Sequence, residues 1–162
     1  MGSNANTNLN AISTALGTGI TFNNDTVYDN TNNYNGTNYW PLISTFAPHP
    51  VTNGLTKLAY ILGCSLSVQS PGIAIAYASS SAYTASNLSR DLGGNSIRVG
   101  IKAPDTKDKV ASIIVSAVAQ IGSGKVIAVG DVNIFGNDCY NNQTDFIDLY
   151  SNKKFLQNIV NW

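Results

Sequence analysis

Gly122-Ser123-Gly124-Lys125-Val126-Ile127-Ala128-Val129-Gly130-Asp131 reads as a tight turn followed by a buried strand that stops at Gly-Asp. Just upstream, Ile113, Val115, Ala117, Ala119 and Ile121 share one face of a period-two run, so the two runs form a β-hairpin about Gly122-Ser123-Gly124. Downstream, a polar loop leads to Asn152–Trp162, where Phe155, Leu156, Ile159 and Val160 fall on one helical stripe and Ser151 or Asn152 stands at the N-cap. Strand, loop and closing amphipathic helix make an α/β ending. The hairpin makes the predicted sheet mixed rather than purely parallel.

Toward the amino terminus, Leu9, Ile12 and Leu16 recur at helical spacing and Gly17 follows where a helix takes a left-handed cap. A short amphipathic helix is predicted there, then a brief strand over Ile20 to Phe22. Asn23 to Asn38 is polar and without periodicity, which predicts a long, mobile, Asn-rich loop. Trp40 to Phe46 is apolar again, and the prolines of Ala47-Pro48-His49-Pro50-Val51 force a rigid extended turn. Leu58, Tyr60, Leu62, Cys64, Leu66 and Val68 alternate with smaller or polar residues, predicting one strand with one buried face. Ile73 to Ala78 is apolar on both faces, as a central strand is. Ser79 to Gly100, with Arg90-Asp91, reads as a loop with a fragment of strand or helix.

At 162 residues the chain suits a single domain with a real core. Apolar residues make up 43 %, and no run approaches the roughly 20 apolar residues of a membrane span, so no membrane insertion is expected. Met1-Gly2-Ser3 reads as a tag remnant, no signal-peptide pattern is seen, and the stretch is read as a fragment of a longer protein. Nine basic and nine acidic groups balance to zero, leaving no basic field to hold a phosphate backbone, so nucleic acid is not an expected partner. All nine acids are Asp, while Asn occurs 21 times, so solubility rests on amides and hydroxyls rather than ions. Such a surface suits an extracellular or cell-surface protein, as do four sequons at Asn24, Asn35, Asn87 and Asn142. An Asn-, Ser- and Thr-rich chain also generates sequons by frequency alone.

Two cysteines are too few for a disulfide framework and lack zinc-site spacing. Cys64 and Cys139 read either as one bridge or, preferred because Cys64 falls on an apolar strand face, as two buried free thiols.

Several segments in order carry a family likeness: Leu9-Asn10, Gly19-Ile20-Thr21-Phe22-Asn23-Asn24-Asp25-Thr26-Val27-Tyr28-Asp29, His49-Pro50-Val51-Thr52-Asn53-Gly54, Gly124 to Asp131, and Asn152 to Trp162. Together they resemble the uncharacterised branch of the class I glutamine amidotransferase-like superfamily, found in GldG-type membrane proteins, intraflagellar-transport-type domains and archaeal surface proteins. The resemblance implies a flavodoxin-like three-layer α/β sandwich whose first strands precede this stretch. A related trehalose-utilisation-like branch carries a similar His-Pro-x-Thr-x-Gly turn, which implies a structural role for His49.

The superfamily's catalysis needs an elbow Cys followed by His and Glu. Cys64 in Leu62-Gly63-Cys64-Ser65-Leu66 lacks the glycine frame, the single His49 precedes it, and no Glu exists, so a non-catalytic domain is expected. His49 could serve as a metal ligand or acid-base group, but it lacks partners for either and is read as bonding backbone in its proline-rich turn. Asp131, Asn133, Asn137, Asp138, Asp145 and Asp148 follow the Gly-Asp strand end. A regular calcium loop fails, because Phe135 stands where an oxygen is needed and Asn142 holds the last position. An irregular Ca²⁺ site at Asp131, Asp138 or Asp145 stays open, beside the reading that Asp131 caps the next turn. In an open α/β sheet a ligand would sit beyond the strand ends, near Asp131 and Ala78.

The leading functional expectation is a non-catalytic binding or assembly module of a larger surface- or membrane-associated protein, with a protein or glycan partner. Two readings stand beside it. One is a divergent hydrolase or amidotransferase-like enzyme with its reactive residue outside this stretch, and the other a calcium-stabilised domain of an S-layer or adhesin-type protein.

Overall fold

The structure, a computed structural model, describes residues 4–86, 112–138 and 144–162. Helix α1 spans Asn4–Leu16 and ends where Gly17 takes a φ of 67°, the left-handed cap foreseen for it. The strands follow as β1 (Ile20–Phe22), β2 (Asp25–Asp29), β3 (Asn33–Tyr34), β4 (Thr37–Ile43), β5 (Thr45–Phe46), β6 (Leu58–Ala59), β7 (Leu66–Val68), β8 (Ile73–Tyr77) and β9 (Ala82–Ser86). The hairpin strands β10 (Ile114–Ile121) and β11 (Gly124–Val129) come next, and α2 (Asn152–Asn161) closes the chain. Single 3₁₀ turns lie at Pro50–Thr52, Asn133–Phe135 and Phe146–Asp148.

The principal sheet runs β1-β7-β10-β8-β5, with β11 also paired to β10; β2-β9 and β3-β4-β6 form two smaller sheets. Every strand pairing among the described residues is antiparallel. The expected α/β three-layer flavodoxin-like sandwich with a mixed sheet is therefore corrected to a sheet-rich fold with two short helices among the described residues. Parallel neighbours need a crossover of a dozen or more residues, usually a helix laid over the sheet. Here the two helices precede β1 and follow β11, and none among the described residues lies between two strands. Period-two apolar runs cannot reveal this, because they are the same in either strand direction. The β10–β11 hairpin itself forms in the register Ser116↔Val129 to Ile121↔Gly124.

Two further expectations are corrected. The polar stretch from Asn23 to Asn38 is not a loop: β2 pairs with β9 from Asp25↔Ser86 to Asp29↔Ala82, and Asn35-Gly36, at φ 51° and 75°, turns β3 into β4. Thr26 and Asp29 of this stretch are buried, whereas Asn24, Asn30, Thr31 and Asn35 stay exposed. Asp29 is fully buried, its Oδ1 accepting from Thr31 N at 2.9 Å and Asn32 N at 2.8 Å, while the Ser79 and Ser81 hydroxyls donate to the same carboxylate.

The single strand foreseen from Leu58 to Val68 is broken into β6 and β7. Leu62 takes a φ of 57°, which no strand tolerates. The break is set by Tyr60, buried, whose hydroxyl donates to Cys64 O at 2.5 Å. Gly63 packs on that ring, and at Gly130 a Cβ would collide with the Cys64 carbonyl and the Tyr60 hydroxyl, so both positions require the smallest residue.

The main core gathers Val27, Ile43, Val51, Leu58, Tyr60, Ile75, Val115, Ile134 and Phe155. A second group, Ile20, Leu66, Ala117, Ala119 and Ala128, fills the space beside β1. Trp40, Leu42, Ala59, Ile61 and Leu149 form a third under the β3-β4-β6 sheet. The foreseen α2 stripe splits: Phe155 is buried, whereas Val160 is 77 % exposed.

Candidate functional site

The chain after Gly130 meets the segment 57–61, and this junction holds most of the side chains that could carry chemistry. On one edge the segment bonds to β4, with Leu42 opposite Ala59, Tyr60 N donating to Pro41 O and Leu62 N to Tyr39 O, each at 3.0 Å. On the other edge no strand among the described residues pairs with this segment, and side chains bond its backbone instead. Asn152 Oδ1 accepts from Ala59 N at 3.1 Å and its Nδ2 donates to Ala59 O at 3.2 Å and Phe146 O at 2.8 Å. Asp131 Oδ2 accepts from Ile61 N at 2.5 Å, Asn133 Nδ2 donates to Ile61 O at 3.1 Å, and Ser151 N donates to Lys57 O at 2.9 Å. Residues 57, 59 and 61 are spaced by two, as a neighbouring strand would require.

Asp131 is 3 % exposed and its Oδ1 also accepts from Asn133 N at 2.7 Å, which fixes the turn Asn133–Phe135. Burial pushes its carboxyl up to about 7, against backbone N–H donors from Ile61, Asn133 and Ile134 that favour the charged form. Burial likewise pushes the nearby Cys64 thiol up to about 11, helped by the charges of Asp25 and Asp131. The Tyr60 phenol is raised well above its ordinary value by burial first, then by Asp131. Asp25 clamps the other side, Oδ1 accepting from Ser65 N at 2.8 Å and Oδ2 from Ser65 Oγ at 2.6 Å. A thiol with so high a pKa offers almost no thiolate at neutral pH, so Cys64 lacks the environment that activates a cysteine.

His49 stands elsewhere. Its Nδ1 accepts from Val51 N at 3.2 Å, capping the turn Pro50–Thr52, and its ring meets Trp162 edge-on at 4.9 Å. Burial, then the charge of Lys125, lowers its pKa, and Lys125 Nζ lies 5.2 Å over the Trp162 ring. The charged groups felt by Cys64 and Asp131 do not include His49, so the structure does not bring imidazole, thiol and carboxylate together.

Asp131, Asp138 and Asp145 are not assembled as a ligand set. Asp138 O accepts from Phe146 N at 3.0 Å, Asp145 precedes the turn Phe146–Asp148 without capping it, and among the described residues no group of three or more His, Cys, Asp or Glu could hold a metal ion. Cys139, the second half of the suggested disulfide, lies outside the described residues, as do Asn87 and Asn142; Cys64 is a buried free thiol. Ala78, foreseen beside a ligand, is buried, its N–H bonded to Ile113 O at 2.9 Å. Sequence reasoning missed Asp25, Asp29 and Asn152, because a polar residue in a polar stretch carries no mark of burial. A cavity of about 340 Å³ opens between the end of α1 and strands β1 and β7, lined by hydroxyls and one carboxamide, among them Ser13, Thr21, Ser67 and Gln69, with no ionisable side chain.

No protein-family model matches this chain, and no curated protein sequence matches it. Among solved structures, the mmIFT52 N-terminal domain superposes on 96 % of the chain with a TM-score of 0.64 at 20 % sequence identity. This chain shares that domain's fold. The match spans 56 % of the mmIFT52 chain, so the described fold corresponds to little more than half of that molecule. The assignment to the class I glutamine amidotransferase-like superfamily, with its flavodoxin-like sandwich, is overturned by the antiparallel sheets and by this likeness to the mmIFT52 N-terminal domain.

Proposed function

We propose that this domain is a non-catalytic binding or assembly module of a larger protein, with another protein as its partner. The observation that carries the reading is the junction at Asp131: its carboxylate, thiol and phenol are spent on backbone bonds and burial, and none faces solvent as a reacting group. The fold likeness to a domain of IFT52, an intraflagellar-transport protein, supports an assembly role rather than turnover. No helix among the described residues is long and apolar enough to cross a membrane.

The reactivity of Cys64 tests the non-catalytic half of this reading. At pH 8, a thiol of pKa about 11 holds roughly 200-fold less thiolate than a free cysteine. Iodoacetamide labelling followed by peptide mapping, which separates Cys64 from Cys139, should show alkylation slowed by at least that factor in the folded protein. Labelling of Cys64 as fast as free cysteine would sink the proposal.

We place the parent protein at the cell surface or outside the cell. Support comes from the amide-rich, weakly charged composition and from the exposure of Asn24 and Asn35, the two sequon asparagines within the described residues. Protein made in a glycosylating secretory host should lose mass on enzymatic deglycosylation, with the change mapped to these two residues. Unmodified Asn24 and Asn35 under those conditions would remove the support.

A further inference from the structure

Strand β11 has a bare edge. Gly130 N donates to Val115 O at 3.1 Å, one step beyond the β10–β11 pair Ser116↔Val129, so Gly124, Val126 and Ala128 turn their N–H and C=O groups toward β10. Lys125, Ile127 and Val129 turn theirs to the other side. No strand pairs with β11 there, and no group among the described residues bonds those backbone atoms.

Two other edges of the fold are closed by side chains. Along β1, Asn10 Oδ1 accepts from Phe22 N at 2.7 Å, Asn10 Nδ2 donates to Phe22 O at 2.9 Å and Ser13 Oγ donates to Ile20 O at 2.5 Å, so α1 sets a polar line against the strand. Asn152, Asp131 and Asn133 do the same at residues 59 and 61. β11 has no such cap. It also lacks the usual guards of a free edge: no proline or bulge interrupts it, and its one lysine, Lys125, donates from Nζ to Trp162 O and lies over that ring.

We propose that β11 takes up an extended segment of another polypeptide, which joins the principal sheet as a further strand. The open groups themselves select this occupant. They recur at every second residue, about 6.8 Å apart, and an extended backbone offers N–H and C=O at that interval, whereas a helix or an apolar surface would leave them buried and unbonded. Side chains add a preference. Ile127 and Val129 pack half-buried against the main core, Val126 is half-buried, and Lys125 is the one ionisable residue from Ile113 to Gly130, so the segment is uncharged at its centre and rich in β-branched residues. A second copy pairing β11 with β11 would join two folded domains through six residues of each, well short of the roughly 1,200 Å² of a stable complex. A flexible segment binds through its main chain along a strand of this length.

This inference deepens the assembly reading and rests on it, yet its test is separate. The probe is an acetylated, amidated peptide of alternating threonine and valine, roughly eight residues long. Its control is the same peptide with every amide N-methylated, which keeps the side chains and loses the donors. With the probe at about 2 mM, the amide NMR signals of Lys125, Ile127 and Val129 in the whole chain should shift saturably and exchange with solvent about fivefold more slowly. Val126 and Ala128, whose N–H groups already bond β10, should keep their exchange rates, and the control should change nothing.

Lys125→Pro and, independently, Ile127→Pro each delete one N–H that the fold does not use, at an edge where proline is tolerated. Each should weaken the probe about fivefold or more, while Lys125→Ala, which keeps the N–H, should bind it as the wild type does. Thermal melts identify a proline variant that misfolds, and the other then decides. Equal binding of the N-methylated control, no saturable shift along β11, or unchanged affinity in the folded proline variants overturns the proposal. So does a chain that dimerises by itself through β11, which would make a second copy the occupant. The Cys64 labelling test stands in each of these cases.

Discussion

Asn152→Ala is expected to destabilise the domain by roughly 2–5 kcal/mol, a large part of the 5–15 kcal/mol that holds a domain of this size together. Asn152 is fully buried, and its carboxamide satisfies Ala59 N, Ala59 O and Phe146 O. Removing it strands Ala59 N and Ala59 O in a dry place, at about 1–3 kcal/mol each, while Phe146 O keeps the N–H of Leu149 at 3.2 Å. Asn152→Asp sharpens the test, since its carboxylate keeps an acceptor for Ala59 N but faces two carbonyls with negative charge. That variant should be at least as unstable at pH 7 and should recover in part near pH 4, where a protonated carboxyl can donate once. Urea melts of the three proteins at both pH values check this. A cost below 1 kcal/mol for Asn152→Ala would show that α2 is held by Phe155 packing and by the Asn158 bonds to Val51 O and Asn53 O instead.

Stability is expected to fall as pH rises from about 4 to about 7, because of Asp131. Its carboxyl has a pKa near 7 in the folded chain against 3.8 as its ordinary value. Below 3.8 both states hold the proton and pH has no effect through this group. Between the two values the unfolded chain has released the proton while the folded chain keeps it, so rising pH favours unfolding; above about 7 both are ionised and the curve flattens. At 1.36 kcal/mol per unit the full shift would amount to about 4 kcal/mol, and the backbone donors that welcome the charge argue for roughly 2–4 kcal/mol. His49, whose pKa is lowered, acts in the opposite direction just below its ordinary 6.5. The wild-type stability profile minus that of Asp131→Asn therefore isolates the carboxyl. A direct titration of the Asp131 side-chain carbon by NMR reports the same group even if the variant is too unstable to melt cleanly. A carboxyl that titrates near 4 in the folded chain would refute this.

Much of the local structure was legible. The α1 boundary followed from Leu9, Ile12 and Leu16 before Gly17, and the β10–β11 hairpin and α2 followed from two simple periodicities. The break at Leu62 was not legible, because the alternation from Leu58 to Val68 continues through it. What interrupts the strand is the hydroxyl of Tyr60 reaching Cys64 O, a contact that depends on the Gly130 backbone arriving from far along the chain. The asparagines were misread for a related reason. Counted along the chain they suggest a solvated surface, yet Asn10, Asn133 and Asn152 bond backbone where a sheet lacks a neighbouring strand.

At the candidate site, the positions of Asp131 and His49 and the absence of Glu were legible, and with them the absence of a Cys-His-Glu set. The sequence could not say that Asp131 lies against Ile61, seventy residues away, or that His49 packs on Trp162.

By itself, the order of residues determined the two helices, the β10–β11 hairpin and which reactive groups the chain possesses, since these depend on neighbours a few positions apart. Only the tertiary structure decided that the strands run antiparallel, that α1 presents its polar line to the sheet, and that Asp131, alone of the four aspartates after β11, is buried. Each of these depends on which distant backbone supplies the missing hydrogen bonds, and periodicity says which residues share a face without saying what that face will meet.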